Sequence, residues 1–316
     1  MSEAELTEPT KNSEVVNPFF EIPIEGSFPK EKITIQDTQE TIERPNEVQE
    51  KIEENWLKRR HEVDQRGGKL IDRPKVILID TQIKDDKLYI KLGRGHYKDF
   101  VGTYGTELHD TNPELVPRNF SISALLETAD GYIVLLKRSQ RVFQYPSWIS
   151  TFGGSVEPED VDDKGSIDPF KTVSREVSEE AGISPESIND IQCLGFTRDI
   201  HTKVEDMMFQ AKTSLTKDEI EKQQQNQHLE EGECVLVLAN PDEIRKKVLE
   251  FSKIFVSDGA AILTLYGRRK FGKEWFSFII DRLKRRGNVY ASLTEQQRKI
   301  IEQRLIEKLG RVTSSI

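Results

Sequence analysis

Cysteine is scarce in this chain of 316 residues, which contains only Cys193 and Cys234. The two stand far apart and lack the paired spacing of metal-ligating cysteines, which excludes a zinc–cysteine site. Two isolated thiols are also too few for a disulfide framework and suit a reducing compartment. We therefore expect both to be ordinary buried thiols and the protein to be cytoplasmic.

Long hydrophobic runs are also absent. No stretch of about 18 apolar residues occurs, which excludes a transmembrane helix. Residues 1–17 are acidic and polar, without the apolar core of a secretory signal. We expect no membrane partner. The chain is nevertheless 35% hydrophobic and 8% aromatic, which is enough to build the core of one large domain or two smaller ones.

Excess positive charge is missing too, since the formal net charge is −9. Proteins that grip a nucleic acid backbone concentrate Lys and Arg, so the acidic balance argues against a nucleic acid partner. It does not argue against a phosphorylated small molecule. A divalent metal held by carboxylates can supply positive charge locally while the whole molecule stays acidic.

Periodicity and turn signals divide the chain into four predicted segments. Residues 1–17 lack periodicity and are predicted to be a disordered tail. Residues 18–116 mix strands with one amphipathic helix and end in a proline-containing boundary, which predicts a small N-terminal α/β extension domain. Residues 117–287 carry a denser pattern of strands and helices and form the predicted main domain. Residues 288–316 are predicted to be a C-terminal amphipathic helix.

One helix of the main domain has clear signals at both ends. Asp168 can cap its first turn, Pro169 suits its first position, and Gly182 fits just past its end. The sequence therefore predicts a helix from Asp168 to Ala181.

This helix carries three acidic residues, Glu176, Glu179 and Glu180. Residues three and four apart share one helix face, where like charges repel by a few tenths of a kcal/mol per pair. A hard cation such as Mg²⁺ binds carboxylate oxygens, so a cation held between the glutamates turns this repulsion into a favourable interaction. We therefore predict that these glutamates bind Mg²⁺, with Mn²⁺ as an alternative. Arg175 is predicted to pair with an acid of the preceding loop and so to orient the glutamates.

The segment Arg175–Ile183 resembles the core of the Nudix box, Arg-Glu-apolar-x-Glu-Glu-x-Gly-apolar, and fills every fixed position. The resemblance implies a Nudix α/β/α sandwich with a mixed central sheet and metal-dependent hydrolysis of a diphosphate. The upstream half departs from the family pattern. Gly154 is followed after five residues by Asp160 where the family has glutamate, and the loop before Arg175 is seven residues longer. The role of Asp160 therefore stays open, with Glu157 or Glu159 as substitutes.

A general base is also needed, and Nudix enzymes take it from the box or from a downstream loop. Glu205 and the cluster Glu230–Glu233 are the downstream candidates. A solvated acidic loop is the alternative interpretation of each.

Several short motifs are similar to the UDP-sugar diphosphatase branch of the Nudix family. They are Ile52–Trp56, Tyr97–Thr103, Leu135–Ser139 and Gly259–Leu263, in the order found in that branch. The branch also has an N-terminal extension and a lengthened Nudix loop. The resemblance implies a nucleotide-sugar substrate, UDP-glucose or UDP-galactose, that is split into UMP and sugar 1-phosphate.

The segment Gly93–Thr103 is predicted to be a loop that contacts this substrate. Lys98 offers charge to a phosphate, Asp99 can accept from sugar hydroxyls, and Tyr97 or Phe100 can stack on uracil. The alternative is a plain connecting turn with Phe100 in the core. The full set of predicted substrate-binding residues is Tyr97, Lys98, Asp99, Phe100, Thr103, Arg138, Arg141 and Gly154. For Arg138 and Arg141, surface charge is an equal alternative.

Two other functions remain open at this point. One is hydrolysis of a different substrate, such as ADP-ribose or a dinucleotide, by the same box. The other is a nucleotide-binding Nudix module that does not hydrolyse its ligand, because a fold alone does not establish an activity.

Overall fold

The computed structural model describes residues 10–11, 19–162, 164, 166–200, 204–225, 232–291 and 293–313. The predicted disordered tail, residues 1–17, lies outside this part of the chain except for Thr10–Lys11, which form a short strand paired with the strand Phe20–Phe28. Within the described residues, no helix has both the length and the apolar character needed to cross a lipid bilayer.

Strands and helices alternate irregularly along the chain. The strands are β1 Thr10–Lys11, β2 Phe20–Phe28, β3 Ile33–Glu40, β4 Pro74–Lys84, β5 Lys87–His96, β6 Ser121–Glu127, β7 Tyr132–Arg138, β8 Ile149–Ser150, β9 Phe152–Ser155, β10 Ile188–Asp199, β11 Glu205–Thr213 and β12 Gly232–Leu238. The helices are α1 Asn46–Asp64, α2 Tyr97–Thr103, α3 Leu108–Thr111, α4 Pro169–Ala181, α5 Lys217–Gln225, α6 Pro241–Phe251, α7 Ser257–Phe271, α8 Lys273–Ala291 and α9 Glu295–Thr313.

The large sheet is mixed, as predicted. Its strands follow the order β1-β2-β10-β11-β6-β7-β12, with β8 added beside β7 and β9 beside β6. Strands β11 and β6 are parallel, and the other neighbours are antiparallel. Alternate residues of one strand point to opposite faces of a sheet. Accordingly, Leu126 of β6 belongs to one buried cluster and Leu125 to another.

Helices cover both faces of this sheet. Residues of α6, α7 and α8 form one cluster with Leu125 and Met208 of the sheet. Val173 and Val177 of α4 form the other cluster, together with residues of the three-stranded sheet β3-β5-β4. The helix–sheet–helix layering agrees with the predicted α/β sandwich.

The N-terminal extension contributes one strand to the large sheet and also forms a small sheet of its own. Strand β2 pairs with β10, so that Phe20 stands opposite Asp199 and Phe28 opposite Cys193. The extension's remaining strands form the small sheet, and α1 packs on α2. The boundary near residue 116 stays a prediction.

The prediction of a loop over Gly93–Thr103 is wrong. Strand β5 runs on to His96, and Tyr97–Thr103 form helix α2. Contacts with α1 favour this helix: Asn55 Nδ2 donates to the Gly102 carbonyl at 2.9 Å, and a Cβ at Gly102 would collide with the backbone of Ile52. The helix is therefore held by tertiary packing that the local sequence pattern does not reveal.

Candidate active site

Helix α4 begins and ends where the sequence predicts. The Asp168 side chain accepts a hydrogen bond from Phe170 N at 3.1 Å, and Gly182 closes the helix with φ 68° in the left-handed region. Lys30 of the extension adds a 2.6 Å ion pair to Asp168. These contacts fix the position and the rotation of the helix that carries the three glutamates.

Two of the glutamates, Glu176 and Glu180, are buried against Gly153 and Gly154 of β9. Glu180 accepts a hydrogen bond from Gly153 N at 2.8 Å. Glu176 lies so close to Gly154 that a Cβ there would collide with its carboxylate. A side chain at position 154 would therefore displace the Glu176 carboxylate from its place against β9. Glu179 is different, since its side chain is 62% exposed.

Arg175 holds the acidic groups together, as predicted. Its Nε and Nη2 donate to the two carboxylate oxygens of Asp160 at 3.0 and 2.9 Å, and its Nη1 donates to Glu176 at 2.8 Å and to Glu179 at 3.3 Å. Burial alone would lower the pKa of Arg175, but the hydrogen bonds to Asp160 and the charge of Glu176 raise it. The guanidinium is thus a permanent cation inside a group of carboxylates.

The structure gives Asp160 a definite place. Besides Arg175, its carboxylate accepts from Glu157 N at 2.9 Å and from Thr172 Oγ1 at 3.0 Å. Burial raises the pKa of Asp160, but the Arg175 and Glu157 hydrogen bonds outweigh it and lower the pKa. Glu157, considered above as a substitute, instead pairs with Lys75 at 3.0 Å.

These elements surround a cleft with a volume of about 420 Å³. Of the predicted site residues, it is lined by Arg175, Glu176, Glu179, Gly154, Tyr97, Phe100 and Arg138. Glu180 sits behind Gly153. Helix α2 explains why Tyr97 and Phe100 lie together: they are three residues apart and so share one helix face, with ring centroids 6.2 Å apart.

Three predicted substrate-binding residues of α2 lie elsewhere. Lys98 and Asp99 are on the opposite side of the helix, where they pair with Glu53 at 3.3 Å and with Arg44 at 3.1 Å. Thr103 is buried, and its hydroxyl donates to the Asp99 carbonyl at 2.8 Å. The helical geometry that brings Tyr97 to the cleft turns these three away from it. Arg141 lines a neighbouring hollow rather than the cleft.

The general-base candidates also fall outside the cleft or outside the described residues. Glu205 is buried in ion pairs with Arg118 and Arg198. Glu233 is exposed beside Lys137, at 3.6 Å. Glu230 and Glu231 lie outside the described part of the chain.

Several cleft residues were missed by the sequence analysis. They are Arg73, Lys75, Asn119, Tyr145, Asp199, Asp206 and Asp258. Asp258 stands in the first turn of α7, where an acid usually interacts favourably with the helix dipole, and Asp206 is the second residue of a largely buried strand. The sequence around Asp206 and Asp258 shows nothing that distinguishes them from residues in these ordinary roles. Only strand pairing and helix packing bring the two side chains to the cleft.

The chain is similar in sequence to a known family and to two named proteins. Residues 117–258 match the family model described as the NUDIX domain, which supports the resemblance of this part of the chain to the Nudix family. The chain is similar to proteins named uridine diphosphate glucose pyrophosphatase NUDT22. The protein from Homo sapiens is 25% identical over 183 residues, covering 48% of this chain and 60% of that protein. The one from Bos taurus is 26% identical over 142 residues, covering 37% and 49%. The chain thus spans about half to three fifths of the length of these relatives.

Solved structures of low sequence identity also match. The MutT protein from Methanosarcina mazei Go1 is 18% identical with a TM-score of 0.32, and the match covers 48% of this chain and 94% of that one. The protein DR0079 from Deinococcus radiodurans is 12% identical with a TM-score of 0.29, and the match covers 41% and 72%.

Proposed function

We propose that this protein hydrolyses the diphosphate of a nucleoside-diphosphate sugar, UDP-glucose or UDP-galactose, to give UMP and sugar 1-phosphate. One observation carries the proposal. The acidic face of α4 is fixed against Gly153 and Gly154 at the wall of a cleft large enough for a nucleotide ligand. The similarity to proteins named uridine diphosphate glucose pyrophosphatase supports the choice of a UDP-sugar.

The residues at this wall fit a hard divalent cation in their chemistry. Glu176, Glu179 and Glu180 offer only carboxylate oxygens, the donors that Mg²⁺ and Mn²⁺ accept. Among the described residues, no three acidic, His or Cys side chains stand together in the arrangement of a metal site, and Arg175 bridges Glu176 and Glu179. We propose that these three glutamates hold the metal when substrate is present. A bound Mg²⁺ would neutralise charge on the diphosphate and lower the pKa of an attacking water.

The remaining residues of the cleft would bind and orient the substrate. Arg138 and Lys75 are cations that can neutralise phosphate oxygens. Tyr97 presents a ring on which a nucleobase can stack, and Lys75 already lies 5.5 Å from the centroid of that ring. Positioning of this kind accounts for much of the catalysis of phosphoryl transfer. The translational and rotational entropy of the reactants is lost on binding, so it no longer adds to the barrier of the chemical step.

The order of groups along β9 supports a ligand with a diphosphate in its middle. Glu157, two residues after β9, pairs with Lys75 beside Tyr97, while Gly153 and Gly154 contact the glutamates. Thr151, just before β9, contacts Ser123 at 2.7 Å. The candidate metal-binding residues therefore lie between an aromatic end and a hydroxyl-rich end of the cleft.

The test is incubation of the purified chain with Mg²⁺ and three substrates: UDP-glucose, ADP-ribose and a dinucleoside polyphosphate. We expect UDP-glucose to be cleaved fastest. Phosphorus NMR in ¹⁸O-labelled water would identify the products and the phosphorus attacked. Faster cleavage of ADP-ribose would be consistent with the proposed hydrolase activity but would refute the proposed UDP-sugar substrate. Binding of a nucleotide without any cleavage would refute the enzyme.

A further inference from the structure

One wall of the cleft, beside strand β6, carries two aspartates from different elements. Asp206 is the second residue of β11 and Asp258 lies in the first turn of α7. Both are half-buried and line the cleft. Each is anchored to β6: Ser121 Oγ donates to Asp206, and Ser123 Oγ donates to Asp258 at 2.7 Å. Ser121 and Ser123 are two residues apart, so they face the same side of the sheet.

These carboxyl groups are close enough to affect each other. Burial, followed by the charge of Asp258, raises the pKa of Asp206. Burial likewise raises the pKa of Asp258, although Ser123 and Arg138 act in the opposite direction.

Asn119 provides an independent sign that a ligand belongs here. It precedes Ser121 by two residues, lines the same cleft and is only 8% exposed. Its Nδ2 donates to Ser155 Oγ at 3.0 Å, but its Oδ1 accepts no hydrogen bond from any group that the structure describes. A buried acceptor without a partner is energetically unfavourable, so a ligand that donates to it is favoured.

The chemistry of this wall selects the kind of ligand. Asn119 Oδ1 and the oxygens of Asp206 and Asp258 are predominantly acceptors. A phosphate, which carries acceptors and negative charge, is disfavoured beside them, whereas a group rich in hydroxyls supplies the donors that they need. Tyr145 adds an aromatic ring to the same cleft, and its hydroxyl donates to Asp199 at 3.1 Å.

We propose that this wall of the cleft is the subsite for the hexose of the substrate, in which Asp206 and Asp258 hydrogen-bond neighbouring hydroxyl groups of the sugar ring. The inference rests on the proposed function, since it assigns one part of the nucleotide sugar to one wall of the cleft. It places the hexose against β6 and the start of α7.

The experiment compares two substrates that differ only in the sugar: UDP-glucose and the methyl ester of UDP. In Asp258→Asn and Asp206→Asn, we expect kcat/KM for UDP-glucose to fall by about tenfold or more, the loss typical of a hydrogen bond to a carboxylate. For the methyl ester we expect a change below about threefold. Glu54→Gln, an exposed substitution on α1, is the matched control and should leave both values unchanged.

Deoxy sugars sharpen the assignment. In the wild-type protein, removing the hydroxyl that Asp258 binds should lower kcat/KM by a similar factor. In Asp258→Asn, the same deoxy substrate should show little further loss, because the interaction is already absent. If every deoxy substrate lowers kcat/KM in Asp258→Asn by as much as in the wild-type protein, Asp258 does not contact a sugar hydroxyl.

Four outcomes overturn the subsite and are distinguishable. Equal losses for both substrates would show that the aspartates act on the diphosphate or on the fold, and thermal unfolding separates these two. Loss of a bound Mn²⁺ from Asp258→Asn, counted by electron paramagnetic resonance, would show that the pair holds a cation. Wild-type cleavage of the methyl ester without cleavage of UDP-glucose would refute the hexose subsite while the diphosphatase stands; cleavage of neither would refute both.

Discussion

Arg175 and Asp160 form a two-point contact, in which Nε and Nη2 of the guanidinium donate to the two oxygens of the carboxylate at 3.0 and 2.9 Å. Two parallel hydrogen bonds fix the plane of a guanidinium better than one. The third donor, Nη1, is thereby aimed at Glu176 and Glu179. Asp160 thus acts on the acidic face of α4 through Arg175.

Asp160→Asn should impair catalysis through this contact. Asparagine can accept only one of the two guanidinium hydrogen bonds, so Arg175 loses its fixed orientation and the glutamates lose theirs. We expect kcat to fall by about 10- to 100-fold, the range of losses seen when an outer partner of a metal-binding residue is removed. Steady-state kinetics at saturating Mg²⁺ would measure it, with Glu54→Gln as the control. A kcat within threefold of wild type would contradict the positioning role.

Glu180→Gln is the direct test of the acidic face. The amide keeps the shape of the side chain and can still accept the hydrogen bond of Gly153 N, but it removes the negative charge. We expect turnover to fall by about 10² or more, as for groups that stabilise charge in the transition state. Circular dichroism should show that the variant is folded. Turnover within threefold of wild type would refute the assignment of Glu180.

Tyr97→Ala should weaken substrate binding rather than the chemical step. Loss of a ring that stacks on a nucleobase typically costs about 1–3 kcal/mol, so we expect KM for UDP-glucose to rise by roughly 10-fold with little change in kcat. Lys58→Ala on the exposed side of α1 is a matched control outside the cleft. If KM stays constant and kcat falls instead, Tyr97 supports the site structurally and does not bind the base.

The sequence predicts α4 and its glutamates because their signals are local. The cap Asp168, the terminal Gly182 and the spacing of the acids all lie within one helix. Helix α2 could not be predicted in the same way. It has seven residues, including Gly102 and two β-branched residues, Val101 and Thr103, which individually disfavour a helix.

Residues of the cleft that come from separate elements are also beyond local patterns. Lys75, Asp206 and Asp258 reach the cleft through the register of β4 and β11 and the packing of α7. Each register is set by the pairing of whole strands. The sequence therefore identifies the chemistry of α4 but not the residues around it that select a substrate.

The Asp206–Asp258 pair predicts how stability depends on pH. Because the folded state raises the pKa of both carboxyls above the ordinary value of 3.8, folding takes up protons when the pH lies between that value and the raised pKa values. Their presence therefore makes the fold less stable as pH rises from about 4 towards the raised pKa values. Asp206→Asn cannot lose a proton and removes this penalty. We expect its melting temperature to exceed that of wild type by about 2 °C or more at pH 8, and by less at pH 5.

Differential scanning calorimetry of the metal-free protein at both pH values measures this difference. Glu54→Gln should shift the melting temperature little at either pH, since the Glu54 side chain is exposed. The same measurement on Asp258→Asn should give the same sign, because removing either charge relieves the other. A variant that is less stable than wild type at pH 8, by more than at pH 5, would show that the carboxylates are favoured in their charged form and would contradict the pair.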